Sequence, residues 1–389
     1  MAARRLLLLT GQSPFDPTSG AAQATRQMAE LLAAGGWAVQ ALSTSGCEGD
    51  TGGQSPRALI EAQGGRCDGE TRVAGRAVLR AQAHGISHNI VLTDPARRHH
   101  WEQDAGAAHA HCLSHIVGGF RPQVVLTFGD DAGDLRRRRQ LRAAGARVVF
   151  VLHNLAYTGR QPADCDAFVC PSRFLAARYA QVWPAPPDVL PTPLLPSAVL
   201  ADRHDPVFVT FINPEPAKGV ALIARLAGRL GRERPDIPLL VVEGRARAAQ
   251  LLAAGRAAGS DLARWPNLMF SPPLPRVADL WARTRVLLMP SVVEEAAGRA
   301  ALEAMANGAV ALVSDRGALP DTVGDSRCVL PADAPDAWFD ALLPLCDDEA
   351  LYARRSDAAR RHAAAHLPRA LAPRYEEWFG RLLSRPAPQ

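Results

Sequence analysis

Residues 207–219 read VFVTFINPEPAKG, and this stretch decides the fold. Its first half, VFVTFI, is an apolar run rich in β-branched and aromatic residues, as a buried strand requires. A Pro-rich turn follows, and GVALIARLAGRL from 219 onward sets apolar residues at helical spacing. The product is strand, turn and helix, with Lys218 at the strand's end and the helix mouth. Lys218 is the only lysine in 389 residues: Lys and Arg together number 44, so 43 are arginine. An ammonium there faces the positive end of a helix dipole, which is unfavourable unless an anion lies between them. Helix N-termini already bind phosphate through free N–H groups. Lys218 and Gly219 are therefore read as an anion site in preference to a solvated surface lysine.

Beyond this unit the alternation continues. Helix 219–231 is followed by strand PLLVVEG, helix ARAAQLLAAGRAA, strand NLMFSPP, helix VADLWAR, strand RVLLMPS, helix GRAALEAMANG, strand AVALVSD and the turn RGALPDTVGD. Repeated β then α predicts a parallel sheet with helices on both faces. Before the lysine unit lies WPAPPDVLPTPLLPSAVLADRHDP, the densest Pro-rich stretch, read as an interdomain linker. The chain also opens as a βαβ unit: strand RLLLLT, loop GQSPFDPTSG, helix AAQATRQMAELLAAGG, strand WAVQALST. Gly20 at that helix mouth suits close approach of a ligand to the backbone, and suits a plain turn equally well. The G-x-G-x-x-G dinucleotide fingerprint is absent, which weighs against a dehydrogenase.

A chain of this length exceeds what one core supports, so two α/β domains are expected, 1–195 and 205–365, with a tail 366–389. The formal net charge of +5 suits anionic ligands and is too mild for nucleic acid. Seven scattered cysteines with no zinc spacing read as reduced thiols of a cytoplasmic protein. The opening MAARRLLLLTG resembles a signal peptide, but four leucines make a first strand the better reading. No apolar run approaches membrane-spanning length.

Residues 84–115 hold seven of the eleven histidines: His84, His88, His99, His100, His109, His111 and His115. His111 and His115, four apart, share a helix face, but Glu102, Asp104 and Cys112 complete no known ligand spacing, so a polar wall or solvated helix is preferred to a metal site. Arg136, Arg137, Arg138 and Arg139 circle a short helix, and a solvated helix is the expectation; peripheral contact with an anionic membrane is the minority reading. Asp130 and Asp131 fit a metal-binding pair or an ordinary loop after QVVLTFG. His153 follows RVVFVL at a strand's carboxyl end, where open α/β sheets bind ligands; capping a helix is the equal alternative.

The second chemical constellation is PSVVEEAAGRAALEAMANG, with Glu294 and Glu295 on a loop, Gly298 at a helix mouth and Glu303 inside the helix. Carboxylates there can hold the hydroxyls of a polyol, and with Lys218 for a diphosphate the ligand they suit is a nucleotide sugar. Glu295-x7-Glu303, followed by SDRGALPDTVGD, resembles the donor-site motif of retaining glycosyltransferases of family four, the glycogen-synthase-like group. The Lys218–Gly219 pair, Gly20, His153 and PSRFLAARY extend the resemblance over both halves. It implies the GT-B fold, with two Rossmann-like parallel-sheet domains facing a central cleft and residues 371–385 packing back on the first domain. It also implies roles: Glu303 for the ribose hydroxyls, Glu295 for the transferred sugar, Lys218 for the diphosphate and His153 for the sugar.

Three positions depart from the family pattern. Asn213 stands where a second phosphate-binding arginine is common, with Arg245 or Arg316 as substitutes, and Ala296 and Ala297 stand where Pro and Phe are usual. The expectation is a retaining hexosyltransferase using a nucleotide diphosphate sugar, UDP-sugar first, with no metal or other cofactor. Asn213, Gly219 and Gly298 complete the donor-site candidates. An epimerase or hydrolase on the same fold, or a sugar-nucleotide binding protein without transfer, is the alternative.

Overall fold

A computed structural model describes residues 3–94, 100–274 and 276–385. The chain divides into two compact units, Met1–Pro193 with Pro368–Gln389, and Leu194–Leu367. Among the described residues no helix is long and apolar enough to cross a membrane.

The first unit runs β1 (Arg5–Leu9), α1 (Gly20–Ala34), β2 (Ala38–Thr44), α2 (Pro56–Ala62), β3 (Arg66–Val73), β4 (Arg76–Ala83) and β5 (Ile86–Val91). It continues with α3 (Trp101–Gly119), β6 (Val124–Thr127), α4 (Ala132–Ala143), β7 (Arg147–Val151), β8 (Ala167–Cys170), α5 (Arg173–Ala180) and β9 (Asp188–Val189). The strands form one nine-stranded sheet in the order β3-β4-β5-β2-β1-β6-β7-β8-β9. It is parallel from β5 to β9, and β3, β4 and β5 pair antiparallel. The central strands β1, β6 and β7 are buried along nearly their whole length, so they read as continuous apolar runs. Asp188–Val189 lies inside the Pro-rich stretch, so part of that segment is sheet edge and not linker.

The second unit contains α6 (Pro196–Val199), β10 (Phe208–Ile212), α7 (Val220–Glu233), β11 (Leu239–Val242), α8 (Ala248–Ala257), β12 (Leu268–Ser271), α9 (Val277–Arg283) and β13 (Thr284–Met289). Then come α10 (Arg299–Ala306), β14 (Val310–Ser314), α11 (Leu319–Val323), β15 (Val329–Leu330), α12 (Pro335–Asp347) and α13 (Glu349–Ala363). Its sheet is wholly parallel, in the order β12-β11-β10-β13-β14-β15. Counted from β10 this is 3-2-1-4-5-6, the doubly wound order, whose direction reverses between β10 and β13. α7 buries Val220, Leu222, Ile223, Leu226, Ala227 and Leu230 on one stripe against this sheet. The predicted turn at RGALPDTVGD contains α11, a single turn that buries Leu319, Thr322 and Val323.

The last helix, α14 (Pro368–Ser384), belongs to the first unit. Leu371, Tyr375, Trp378, Phe379 and Leu382 join the core of Leu6, Leu8, Met28 and Trp37. Its polar tips are anchored as well: Trp37 Nε1 donates to Glu376 at 2.9 Å and Tyr375 donates to the Pro191 carbonyl at 2.8 Å.

Candidate functional site

Lys218 ends a single 3-10 turn, Pro216–Lys218, that leaves β10 for α7. Gly219 completes the turn at φ 85°, and a Cβ there would stand 2.0 Å from the Pro290 carbonyl oxygen. Only glycine therefore lets the lysine loop lie against the loop leaving β13. The N–H of Val292 bonds the Ala217 carbonyl across the two loops at 3.0 Å. The consequence is an ion pair: Lys218 Nζ lies 2.5 Å from Glu295 Oε1, with the ammonium side chain 26% and the carboxylate 15% exposed. Ser291 donates to the same oxygen at 2.6 Å.

A third loop supports them. Ala318 N–H bonds the Glu295 carbonyl at 2.8 Å, Ser314 Oγ bonds the Ser291 carbonyl at 2.7 Å, and Thr322 Oγ1 bonds the Ala297 carbonyl at 3.0 Å. Gly317, at φ 63°, would bring a Cβ to 2.4 Å from the Glu295 backbone. Ser291 and Gly317 went unread in the sequence; the small residues after RVLLMP and inside SDRG were the available signal. Lys218, Ser291 and Glu295 thus stand at the carboxyl ends of β10 and β13, at the reversal point of the sheet, where open α/β sheets take their ligands.

Gly298, at φ 58°, is the N-cap of α10 and packs against Leu319 and Thr322. Glu303 lies within that helix and is 5% exposed. Its carboxylate accepts from Arg299 Nε at 2.5 Å and Trp281 Nε1 at 3.3 Å. A carboxylate offers about four lone-pair sites, so acceptor capacity remains beyond these two bonds. Asn213 sits at φ 59°, and its Oδ1 accepts from the N–H of Ala246 at 2.9 Å, clamping the β10 loop to the β11 loop. Arg245 reaches Glu215 at 3.0 Å, at the foot of the lysine turn, whereas Arg316 pairs with its neighbour Asp315 at 3.4 Å.

In the first unit, His153 follows β7 and its Nε2 lies 2.8 Å from Thr25 Oγ1 on α1, with the Phe128 ring edge-on at 5.4 Å. Gly20 is the first residue of α1, behind the N-cap Ser19, and a Cβ there would meet nothing within 4 Å.

The histidine-rich stretch disperses. His88 and His109 are buried, His111 and His115 are exposed on α3, and His99 lies outside the described residues. Among the described residues no group of three or more His, Cys, Asp or Glu could hold a metal ion. Asp130 instead pairs with Arg138 and with Arg160, the latter at 2.8 Å, and Asp131 caps α4 in a capping box with Asp134. The expectation of a fully solvated arginine helix is corrected here. Arg137 and Arg138 are buried, because Glu102, Asp134 and Asp130 neutralise them and the Trp101 and Phe150 rings cover them.

Comparison with known proteins adds four findings. The D-inositol 3-phosphate glycosyltransferase of Streptomyces avermitilis is 34% identical over 179 residues, 42% of this chain and 36% of that protein. The chain thus matches little more than a third of that relative's length. The sucrose-phosphate synthase of Thermosynechococcus elongatus superposes with TM-score 0.69 at 16% identity, over 98% of this chain and 99% of that one. The Anabaena protein HepE in complex with UDP-glucose superposes with TM-score 0.64 at 12% identity, over 97% and 99%. These likenesses show the α/β fold with parallel sheets of the GT-B type. Residues 204–348, which carry Lys218, Glu295 and Glu303, match the family model of Glycosyl transferases group 1.

Proposed function

We propose that this chain is a glycosyltransferase that moves a sugar from a nucleotide diphosphate sugar, a UDP-sugar, to an acceptor with retention at the anomeric carbon. The observation that carries the reading is the contact of Lys218 with Glu295, 2.5 Å apart at the reversal point of the six-stranded sheet. A cation beside a helix mouth stabilises the negative charge that develops on a departing diphosphate. A carboxylate adjoining it accepts hydroxyl protons of the sugar and so fixes the anomeric carbon for attack. Glu303, one helical segment further on, takes the ribose hydroxyls, and the family resemblance assigns His153 a contact to the sugar. The family match over 204–348 and the glycosyltransferase relative support this assignment. Retention rests on the family resemblance, and the UDP-glucose held by one structural neighbour favours a UDP donor.

Incubation with radiolabelled nucleotide sugars and a panel of acceptors tests the proposal. A labelled glycoside supports transfer, and NMR of its anomeric carbon reads the stereochemistry. Release of free sugar alone points to a hydrolase, conversion of the donor to its epimer points to an epimerase, and binding without turnover points to a binding protein.

Because Lys218 supplies the positive charge for the diphosphate, transfer should survive chelation. Activity in EDTA equal to that in magnesium is the expected result; loss in EDTA with recovery in manganese or magnesium would overturn it.

The two glutamates divide the labour, and substitution by glutamine separates them. Alanine at 303 is uninformative, since it also removes the carboxylate that Arg299 Nε donates to at 2.5 Å and so disturbs the helix together with the site. Glu303→Gln should weaken UDP and UDP-sugar alike. Glu295→Gln should leave UDP affinity equal or higher, because Lys218 loses its competing carboxylate, while transfer falls about 100-fold from misplacement of the sugar. Calorimetry with both ligands decides, and equal loss of UDP in both variants would refute the division.

A further inference from the structure

Two side chains grip the Glu303 carboxylate, one on each oxygen. Trp281, on α9, is 0% exposed and donates its indole N–H to Glu303 Oε2 at 3.3 Å. A buried indole N–H needs an acceptor, and this one takes a carboxylate on the neighbouring helix. Arg299, one turn before Glu303 on α10, donates Nε to Oε1 at 2.5 Å. An i,i+4 pair on a helix is ordinarily a solvated contact that contributes little. Here the two side chains are only 17% and 7% exposed, so the pair lies away from water and each charge depends on the other.

The supports are themselves fixed. Thr284, at the end of α9, donates its hydroxyl to the Leu280 carbonyl at 2.9 Å and meets the Thr210 hydroxyl of β10 at 3.0 Å, both threonines being 0% exposed. The helix that carries the indole is thereby tied to the sheet. On α10 the Asn307 side chain donates to the Glu303 carbonyl at 2.8 Å, so the backbone of Glu303 is held as well as its side chain. Each oxygen of a carboxylate offers about two lone pairs, so each Glu303 oxygen keeps roughly one acceptor site. Two such sites on one fixed carboxylate match the two vicinal hydroxyls of a ribose.

We propose that Trp281 and Arg299 are positioning residues: they lock the plane of the Glu303 carboxylate so that it reads the 2′,3′-diol of the donor nucleotide. The inference rests on the transferase reading above, which gives Glu303 the ribose, and deepens it by naming what makes that carboxylate selective. A carboxylate already held in one orientation loses no rotamer freedom when the nucleotide arrives, so more of its hydrogen-bond energy appears as affinity for the diol.

Calorimetric titration of the full chain compares UDP with 2′,3′-dideoxy-UDP, and ADP with 2′,3′-dideoxy-ADP. The ratio of dissociation constants within a pair isolates the diol, because base and diphosphate are common to both members and general damage to the fold weakens both alike. The wild-type chain should prefer UDP over its dideoxy analogue roughly 10- to 150-fold, as expected of a hydrogen bond to a charged group. Trp281→Phe keeps a ring in the core and removes the N–H. In it the preference should shrink about threefold or more while affinity for the dideoxy ligand nearly holds. Arg299→Met, which keeps the length of the side chain without its charge, should act in the same direction, and Arg299→Lys should retain more of the preference than Arg299→Met. Trp338→Phe is the control: Trp338 is also 0% exposed and in the same unit, but donates to the Pro331 carbonyl at 2.8 Å. Its variant should lower the melting temperature and leave the ratio unchanged.

A wild-type ratio retained in Trp281→Phe or in Arg299→Met overturns the role of that residue, and an equal fall in Trp338→Phe overturns both. Equal wild-type affinity for the two members of a pair overturns the proposal together with the ribose assignment of Glu303. UDP binding with the diol preference intact in the variants removes this inference and leaves the transferase reading; no binding of any of the four ligands removes the donor reading and this inference with it.

Discussion

In calorimetric titrations Lys218→Ala should bind UDP roughly 10- to 150-fold more weakly than the wild-type chain. The figure corresponds to about 1.5–3 kcal/mol, the range for hydrogen bonds to a charged group. Two effects combine. The ammonium is lost, and Glu295, which holds it at 2.5 Å, becomes an uncompensated carboxylate facing the incoming diphosphate. The double variant Lys218→Ala with Glu295→Gln should therefore recover part of the loss. Arginine at 218 should recover less than its charge suggests, since a planar guanidinium does not fit the point contact made at the end of a 3-10 turn. Unchanged UDP affinity in Lys218→Ala would remove the lysine from the donor site altogether.

The second large effect concerns acid. His88 on β5 and His109 on α3 are 1% and 0% exposed. Burial, with Arg26 beside His88 and Arg137 beside His109, pushes both imidazoles down to about 3. Their neutral forms pack against the Phe15 and Trp101 rings, 4.8 and 5.1 Å away. In the unfolded chain each takes a proton near pH 6.5, so below that pH the unfolded state binds more protons than the folded one. Stability is full above about 6.5 and falls with pH by about 1.4 kcal/mol per unit for each histidine, down to about 3. At pH 5 the two together cost about 4 kcal/mol, a large part of the roughly 5–15 kcal/mol that holds a domain folded.

Both histidines belong to the first unit. The raised Asp134 carboxyl opposes them at the acid end of the window. The second unit holds the half-buried His204, also shifted down, and Asp325, which Arg327 lowers to about 2 and which therefore loses stability only below about 4. Hydrogen exchange at pH 7 and pH 5 should thus show protection lost first in residues 3–193. Replacing His88 and His109 by leucine should flatten that dependence. Equal loss in the two units would refute the assignment.

The parallel α/β alternation of the second unit was legible because each strand there is a continuous apolar run and each helix an amphipathic one. β10, β11, β13 and β14 are VFVTFI, PLLVVEG, RVLLMPS and AVALVSD as read. RAVLRAQ and HNIVLT read as strand-like and are β4 and β5, but β3 and the antiparallel pairing of the three were not legible, for a physical reason. The three are joined by two-residue turns, Ala74-Gly75 and His84-Gly85, with both residues of each at positive φ. Such turns ordinarily carry Asn-Gly or Asp-Gly, and Ala and His at these positions give no signal. β3 is also largely exposed, so it lacks an apolar pattern.

At the candidate site, Lys218 and Glu295 could be singled out because one is unique in composition and the other precedes a glycine and a helix. Their contact could not be read, since it depends on Gly219 and Gly317 packing against other loops. Arg137 and Arg138 were misread for a similar reason: their partners Glu102, Asp134 and Asp130 include residues on another helix and on the loop before α4.

The two sheets share no strand, and each reverses direction once. Natural selection can therefore act on them separately. Substitutions in the loops after β1, β2 and β6 leave the hydrogen-bonded register of β10 and β13 untouched, so the strand-end loops of one unit can change without disturbing the sheet of the other.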